Sequence, residues 1–335
     1  MRKKESCLGV WVLMSNHFIS PHIIAKQQGP DIDAVVPFVV QAKPDDSHKE
    51  IDHIDFRGRL VRLDAVVDEI LSRHNYPEPV AQVLAELLAM AMAMASALKY
   101  EGSFSLQIRG DGPVSLMLAD VTNEGAVRGY AEVSASRLAE LGGATDFKQI
   151  FGEGYLAFTV DQGDHAQLYQ GIVELKGDDL TAGITHYFRQ SEQFDAALKI
   201  AAKRGETGKW RAAAAMLQRL PEHQGGDLSE DEMASREAWR HAMVLMATLS
   251  KAELLNFNLT APELLFRLFH EDGVRVHESR PVSIGCRCSP EKVEKIVSAL
   301  TPEQRKDMTV DGEITMTCQF CNKTFHFDGN PSAET

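Results

Sequence analysis

Apolar residues recur along the chain in three different patterns, and each pattern marks a different region. The first region opens at Arg57-Gly58-Arg59-Leu60-Val61-Arg62-Leu63, just after a polar, turn-rich stretch over residues 44–50. Asp64 stands where an N-cap belongs and predicts a helix reaching about Ser72. Pro77 and Pro79 then start a long helix that runs through Tyr100. Its centre, from Leu87 to Ala95, is apolar on every side, which predicts burial inside a core. Met90, Met92 and Met94 read first as core filling. A plastic binding surface is the sharper alternative.

Period two takes over next. Phe104, Leu106 and Ile108 alternate with polar neighbours, Gly110-Asp111-Gly112-Pro113 supplies a turn, and Val114 to Leu118 returns. Further strands are predicted at 127–133, 155–160 and 169–175, followed by a helix over 180–188. Residues 204–209 form a hairpin loop between two apolar runs. The second run, 211–220, is rich in alanine and reads as helix by propensity.

Residues 221–227 (Pro-Glu-His-Gln-Gly-Gly-Asp) mark a boundary, after which charged amphipathic helices begin. Ser229 caps one that runs to about Ser250, with Trp239, Met243, Met246 and Leu249 on one face. Thr260 caps another across 262–269, which Gly273 ends. Helices this narrow in apolar face are marginal alone and must dock on something. The last unit is short: Ser289-Pro290 starts a helix to Leu300, and Thr301 and Gln304 have capping-box spacing. Ile314 and Met316 lead as a strand into Cys318, and Phe325 and Phe327 follow. Residues 1–33 show no sustained periodicity and read as a loose N-terminal extension, ending in a boundary before the first domain.

Composition changes this picture only at the margins. The 335 residues are 44% hydrophobic and 25% charged, ordinary for a globular chain of two domains or one with an appendage. A formal charge of −13 argues against nucleic-acid binding, which needs cations to displace counterions from phosphates. No membrane span is expected, since the most apolar run, 84–98, contains Glu86 and is too short. Arg2-Lys3-Lys4 ahead of residues 8–14 resembles part of a secretory signal, but no cleavage site follows. Met14 could equally be the start.

The candidate chemistry lies in the cysteines. Four of the five form two close pairs, Cys286/Cys288 and Cys318/Cys321, while Cys7 stands alone. A secreted disulfide scaffold would spread its cysteines, so the clustering favours a metal or redox role in a reducing cytoplasm. Cys318-x-x-Cys321 is the usual two-ligand turn of a zinc site. Two residues apart on an extended chain, Cys286 and Cys288 face the same side and can reach one ion. Four thiolates complete a tetrahedron, so His270, His277 and His326 are expected to be surface residues. A thioredoxin-type dithiol and an iron–sulfur cluster are the other users of such cysteines. The region after Cys286 has too small an apolar core to fold unaided, so zinc would govern its folding.

The order of Arg57-Gly-Arg-Leu-Val-Arg-Leu63, Gly110-Asp-Gly-Pro113, Arg128-Gly129, Tyr187-Phe-Arg-Gln-Ser-Glu-Gln193, Glu253-Leu-Leu255, Arg267-Leu-Phe-His-Glu271 and the two cysteine pairs resembles the 33-kDa heat-shock protein family. These are redox-regulated, ATP-independent holdase chaperones. The resemblance extends from about Val36 to Phe327 and has no counterpart for residues 1–33. It implies an α+β fold, with a compact N-terminal domain of β-sheets around a buried central helix (34–225), a metastable helical linker (226–285), a small zinc-binding domain (286–328) and a tail (329–335). It also implies that 211–220 is a strand, against its propensity.

On this likeness the reduced protein holds one zinc ion and is inactive. Oxidation forms disulfides Cys286–Cys288 and Cys318–Cys321, zinc leaves and the linker unfolds. The protein then dimerises and binds unfolding clients. Trp239, Met243, Met246, Leu254, Leu255, Phe266 and Leu268 are the linker residues expected to meet them. Two other functions fit the cysteines without the resemblance. A thiol–disulfide oxidoreductase would need only Cys318 and Cys321. A zinc-ribbon interaction module would need basic residues around the ribbon, and Lys292, Lys295, Arg305 and Lys306 are balanced by Glu291, Glu294, Glu303 and Asp307.

Overall fold

The computed structural model describes residues 31–42, 54–142, 146–163, 168–192, 195–219 and 230–329. The extension up to Pro30 with Cys7, the turn-rich 44–50, the boundary 221–227, the Ser229 cap and the tail from Asn330 lie outside the described residues. The first part of the chain runs β1 (Ala34–Ala42), β2 (Ile54–Leu63), α1 (Ala65–Ser72), α2 (Glu78–Ala97), β3 (Ser103–Gly110), β4 (Val114–Thr122) and β5 (Ala126–Val133). It continues through α3 (Ala135–Glu140), α4 (Phe147–Phe151), β6 (Gly154–Asp161), β7 (Tyr169–Glu174), α5 (Leu180–Tyr187), β8 (Ala196–Arg204) and β9 (Trp210–Gln218). Then come α6 (Glu230–Thr248), α7 (Lys251–Leu254), α8 (Ala261–Phe269) and the short strands β10 (Val274–Val276), β11 (Arg280–Pro281) and β12 (Ser283–Ile284). The chain closes with α9 (Pro290–Ser298), α10 (Pro302–Met308), β13 (Thr309–Val310), β14 (Glu313–Thr317) and β15 (Thr324–Asp328).

Two large sheets form the body. One has the order β10-β1-β2-β9-β8, with β11 also on β1; the other has the order β12-β5-β4-β3-β6-β7. Helix α2 lies between them, and a single core joins its Leu84, Leu88 and Met90 to Val61 of one sheet and Phe104 of the other. Contact with strands on both sides explains why its centre is apolar all round and why its methionines are buried. The shortness inferred from 84–98 does not hold: the helix spans 20 residues and is apolar enough by length and composition to cross a membrane. Yet 78% of its apolar stretch is buried within the protein, the setting of a core helix.

The opposite face of the first sheet carries a second core. Val36, Phe38, Phe56 and Leu60 pack there against Trp239, Met246, Leu249 and Phe269 from α6, α8 and the turn between them. Gly58 belongs to this face, where the Phe38 ring occupies the space a Cβ would need, 2.0 Å from its nearest carbon. The run 211–220, helical by propensity, forms the strand β9 between β2 and β8. Its alanines explain both the misreading and the fact. Ala212 and Ala214 face the central helix and Ala213 and Ala215 face the linker helices, so small side chains let helices approach both faces closely.

Asp64 is not a side-chain cap for α1. Asp33 does that work from outside the helix, its carboxylate accepting the backbone N–H groups of Asp64, Ala65 and Val66 at 2.8–3.2 Å. Asp31 likewise accepts the Ala261 N–H at the start of α8 and pairs with buried Arg62 at 3.2 Å. The loose extension drawn to residue 33 therefore ends in two anchored residues.

Candidate metal centre

The C-terminal unit is built around a hairpin. Thr301 and Gln304 form the expected capping box at α10, and Ser289 caps α9 by accepting the Lys292 N–H. β14 pairs with β15 from Glu313↔Asp328 to Thr317↔Thr324, which places Cys318 and Cys321 in the connecting turn. Asn322, at φ 59°, closes that turn by donating its N–H to the Cys318 carbonyl at 2.9 Å.

The other pair of cysteines is held by the body. β12 runs parallel to β5, with Ile284 opposite Val127, and the Gly285 N–H continues the ladder to the Val127 carbonyl at 3.0 Å. Extension along this edge projects Cys286 and Cys288 to one side. Arg287 between them turns the other way, onto buried Asp120, which Arg128 also meets at 2.6 Å.

These two supports bring all four sulfurs within 4.8 Å of one another as free, half-buried thiols. Cys286 Sγ lies 3.2 Å from Cys288 and 3.6 Å from Cys318, and Cys288 lies 3.4 Å from Cys321. An ion with bonds of about 2.3 Å to four thiolates needs sulfur–sulfur edges of about 3.8 Å. The three edges of 3.2–3.6 Å lie slightly inside that value and none exceeds 4.8 Å, so the group can hold one metal ion. Among the described residues no histidine joins it. His270 and His326 are exposed, and His277 sits against β1.

The thiols are electrostatically unequal. Burial opposes ionisation at Cys286, but hydrogen bonds from the Cys288 backbone and from the other three thiols outweigh it and bring this group down to about 7. Burial pushes Cys288 and Cys321 upward. A bound cation would favour ionisation of thiols that burial otherwise keeps neutral.

The linker residues named from the sequence divide into three groups. Trp239, Met246 and Leu254 are buried, while Leu255 and Leu268 are half-buried at the margin of the second core. Met243 is 40% exposed and Phe266 62% exposed, so both already face water and neither shares the buried face of its helix. Sequence reading missed Asp120, Arg287 and Phe320, whose partners lie far away in sequence. It also missed the capping box of Ser250 and Glu253 at α7, which Ser-x-x-Glu spacing could have revealed.

The two-sheet α+β body with its central helix, layer of helices and terminal four-cysteine unit has counterparts among known proteins. Residues 49–328 match the family model described as Hsp33 protein. A "33 kDa chaperonin" of Caulobacter vibrioides is 35% identical over 286 residues, covering 83% of this chain and 93% of its own. One from Pseudomonas syringae pv. tomato is 34% identical over 307 residues, covering 91% and 94%. The crystal structure of a 33 kDa chaperonin from Thermotoga maritima shares the fold, with TM-score 0.69 over 89% of this chain and 95% of that one, at 22% identity. The chain belongs to the Hsp33 family, and it is a chaperone rather than an enzyme.

Proposed function

We propose that the protein is a redox-regulated, ATP-independent holdase, inactive while its four thiolates hold one zinc ion and active once they are oxidised. The observation that carries this reading is the meeting of four free thiols from two separately supported segments. An all-sulfur, tetrahedron-sized set suits zinc. When bound, the ion supplies positive charge that keeps the sulfurs ionised and cross-links the segment after β12 to the β14–β15 turn.

Family likeness implies peroxide or hypochlorous acid as the oxidant. Each pair of thiolates gives up two electrons in forming one S–S bond, and each peroxide takes those electrons with two protons to become two waters. The pairings are Cys286 with Cys288 and Cys318 with Cys321, as family likeness implies. Disulfide sulfurs are neutral and no longer hold the metal, so the cross-link is lost. Residues 286–328 act as the switch, 226–285 as the releasable linker and 34–225 as the stable body. Unfolding of the linker exposes Trp239, Met246 and Leu254 together with the second core beneath them. Leu255 and Leu268 widen that surface, with Met243 and Phe266 at its rim. Unfolding clients bind there, the active form is a homodimer, and the reducing cytoplasm is the compartment that keeps the resting state.

The oxidoreductase alternative is poorly supported, because Cys318-x-x-Cys321 occupies a hairpin turn rather than the start of a helix. The test is to measure zinc release and suppression of client aggregation before and after peroxide at mildly raised temperature. Oxidation should release about one zinc per chain as protection appears. Retained zinc, or equal protection by the reduced protein, would overturn the reading.

A further inference from the structure

The turn between Cys318 and Cys321 presents one aromatic side chain to the body. The Phe320 ring lies 4.0 Å from the Arg128 guanidinium carbon, which sits over its face, and 6.1 Å from the Tyr130 ring. Arg128 is fixed in that pose by Asp120 on the neighbouring strand, at 2.6 Å. Behind Tyr130 stands His74, its ring 6.0 Å away, and His74 in turn stacks on Tyr76 at 5.0 Å. The receiving surface is thus a cation and a run of rings, all supplied by β5 and the α1–α2 connection.

The rim of this surface is polar and specific. Asn322, two residues after Phe320, donates its side-chain amide to the Arg73 carbonyl at 2.8 Å. Nearby, His74 Nε2 and Asp120 Oδ1 are buried with no hydrogen-bond partner. The body supplies Arg128, Tyr130 and His74, while Arg287 and Asn322 of the C-terminal unit reach Asp120 and the Arg73 carbonyl at its edge.

We propose that this surface is a binding site for a single aromatic side chain of an unfolded client, which Phe320 occupies in the zinc-bound state as an internal stand-in. The recognised chemistry is a planar ring under a guanidinium and beside a phenol, followed two residues later by a side-chain amide. Unfolded chains display aromatic rings that folded proteins bury, so the site selects for the unfolded state. Phe320 is presented by a turn whose two ends are cysteines of the cluster. Loss of the metal therefore frees the turn and vacates the site. The inference rests on the switch reading only for the moment of opening; the site itself is present in the reduced protein.

The experiment uses the full-length, reduced, zinc-loaded protein and a capped, unstructured octapeptide, Gly-Ser-Gln-Phe-Ser-Asn-Lys-Gly, with a control in which alanine replaces its phenylalanine. An intramolecular competitor acts at an effective concentration of roughly millimolar. Phe320→Ala should accordingly raise peptide affinity about tenfold over the parent protein by titration NMR, with no binding of the alanine peptide. Adding Tyr130→Ala to Phe320→Ala should abolish the gain. Asn322→Ala, which leaves the ring in place but loosens the turn, should give a smaller gain of about two- to threefold, on the same competition argument. Zinc content is measured for each variant, and the Asn322→Ala result stands alone if Phe320→Ala fails to hold zinc. Unchanged affinity in both variants, or equal binding of the alanine peptide, overturns the proposal. Failure of the switch would leave this binding intact. Failure of this binding would leave peroxide-triggered zinc release and client protection untouched.

Discussion

In the two-sheet body, α2 is enclosed by strands on both sides, and one continuous core extends from Val35 to Val282. In the C-terminal unit, beyond Gly285, the buried apolar side chains are Val297, Ile314 and Phe325 among the described residues. Three such groups contribute roughly 5–9 kcal/mol gross. A structural zinc site typically contributes about 10–16 kcal/mol. The body is therefore held by packing, whereas the unit has little packing of its own and would depend on a metal held by its four cysteines. The linker helices stand between these cases. They have a real core, yet it is shared with the body, and the buried Trp239 indole N–H finds no acceptor there. An unmet donor of this kind costs about 1–3 kcal/mol.

The sharpest way to break this comparison is to remove the metal. Chelation under reducing conditions should abolish amide-exchange protection across residues 290–328 while leaving α2 protected. Uniform loss, or none, would show that the two regions do not differ in what holds them. Next in size is Trp239→Ala, which should destabilise the linker by about 3–5 kcal/mol. The readout is faster exchange in α6 and measurable client protection already in the reduced protein, with zinc affinity unchanged. Gly58→Ala should cost about 1–3 kcal/mol in denaturant unfolding, because the new methyl group meets the Phe38 ring under the linker.

The smallest effect expected is at Glu86, the buried carboxylate within α2. Burial holds its pKa above the ordinary value, with Lys251 and the Gln82 side chain opposing that shift. A raised carboxylate destabilises the fold only where it is ionised. Stability should therefore fall as pH rises from the unfolded value of 4.5 through the folded one. Glu86→Gln should flatten that slope, raising the melting temperature at neutral pH and not at pH 4. An unchanged pH profile would remove Glu86 from the account.

What was legible in the sequence follows from how far apart the interacting residues lie. The cysteine cluster could be read because each pair is local and only the pairing of pairs is long-range. Helix α2 could be read because burial on all sides leaves an unbroken apolar record. The strand β9 could not be read by propensity, since Ala212 to Ala215 favour helix when isolated and form a strand only between two layers of helices. Asp33 was missed for a related reason. Its three accepted hydrogen bonds go to a helix some thirty residues on, where Asp64 seemed sufficient. The contact of Phe320 with Arg128 joins opposite ends of the fold, and no local pattern encodes it.

The linker leaves the first sheet after β9 and returns to it at β10, and in the sheet order these strands are separated by β2 and β1. At about 4.8 Å per strand, the points of exit and return are roughly 14 Å apart. Unfolding confined to α6–α8, with β10 still paired to β1, consequently leaves a loop fastened at both ends to the surface it left, and the cost of closing such a loop grows only with the logarithm of its length. Its return is a first-order process, as fast in dilute protein as in concentrated. A released client must compete with a neighbour that never diffuses away.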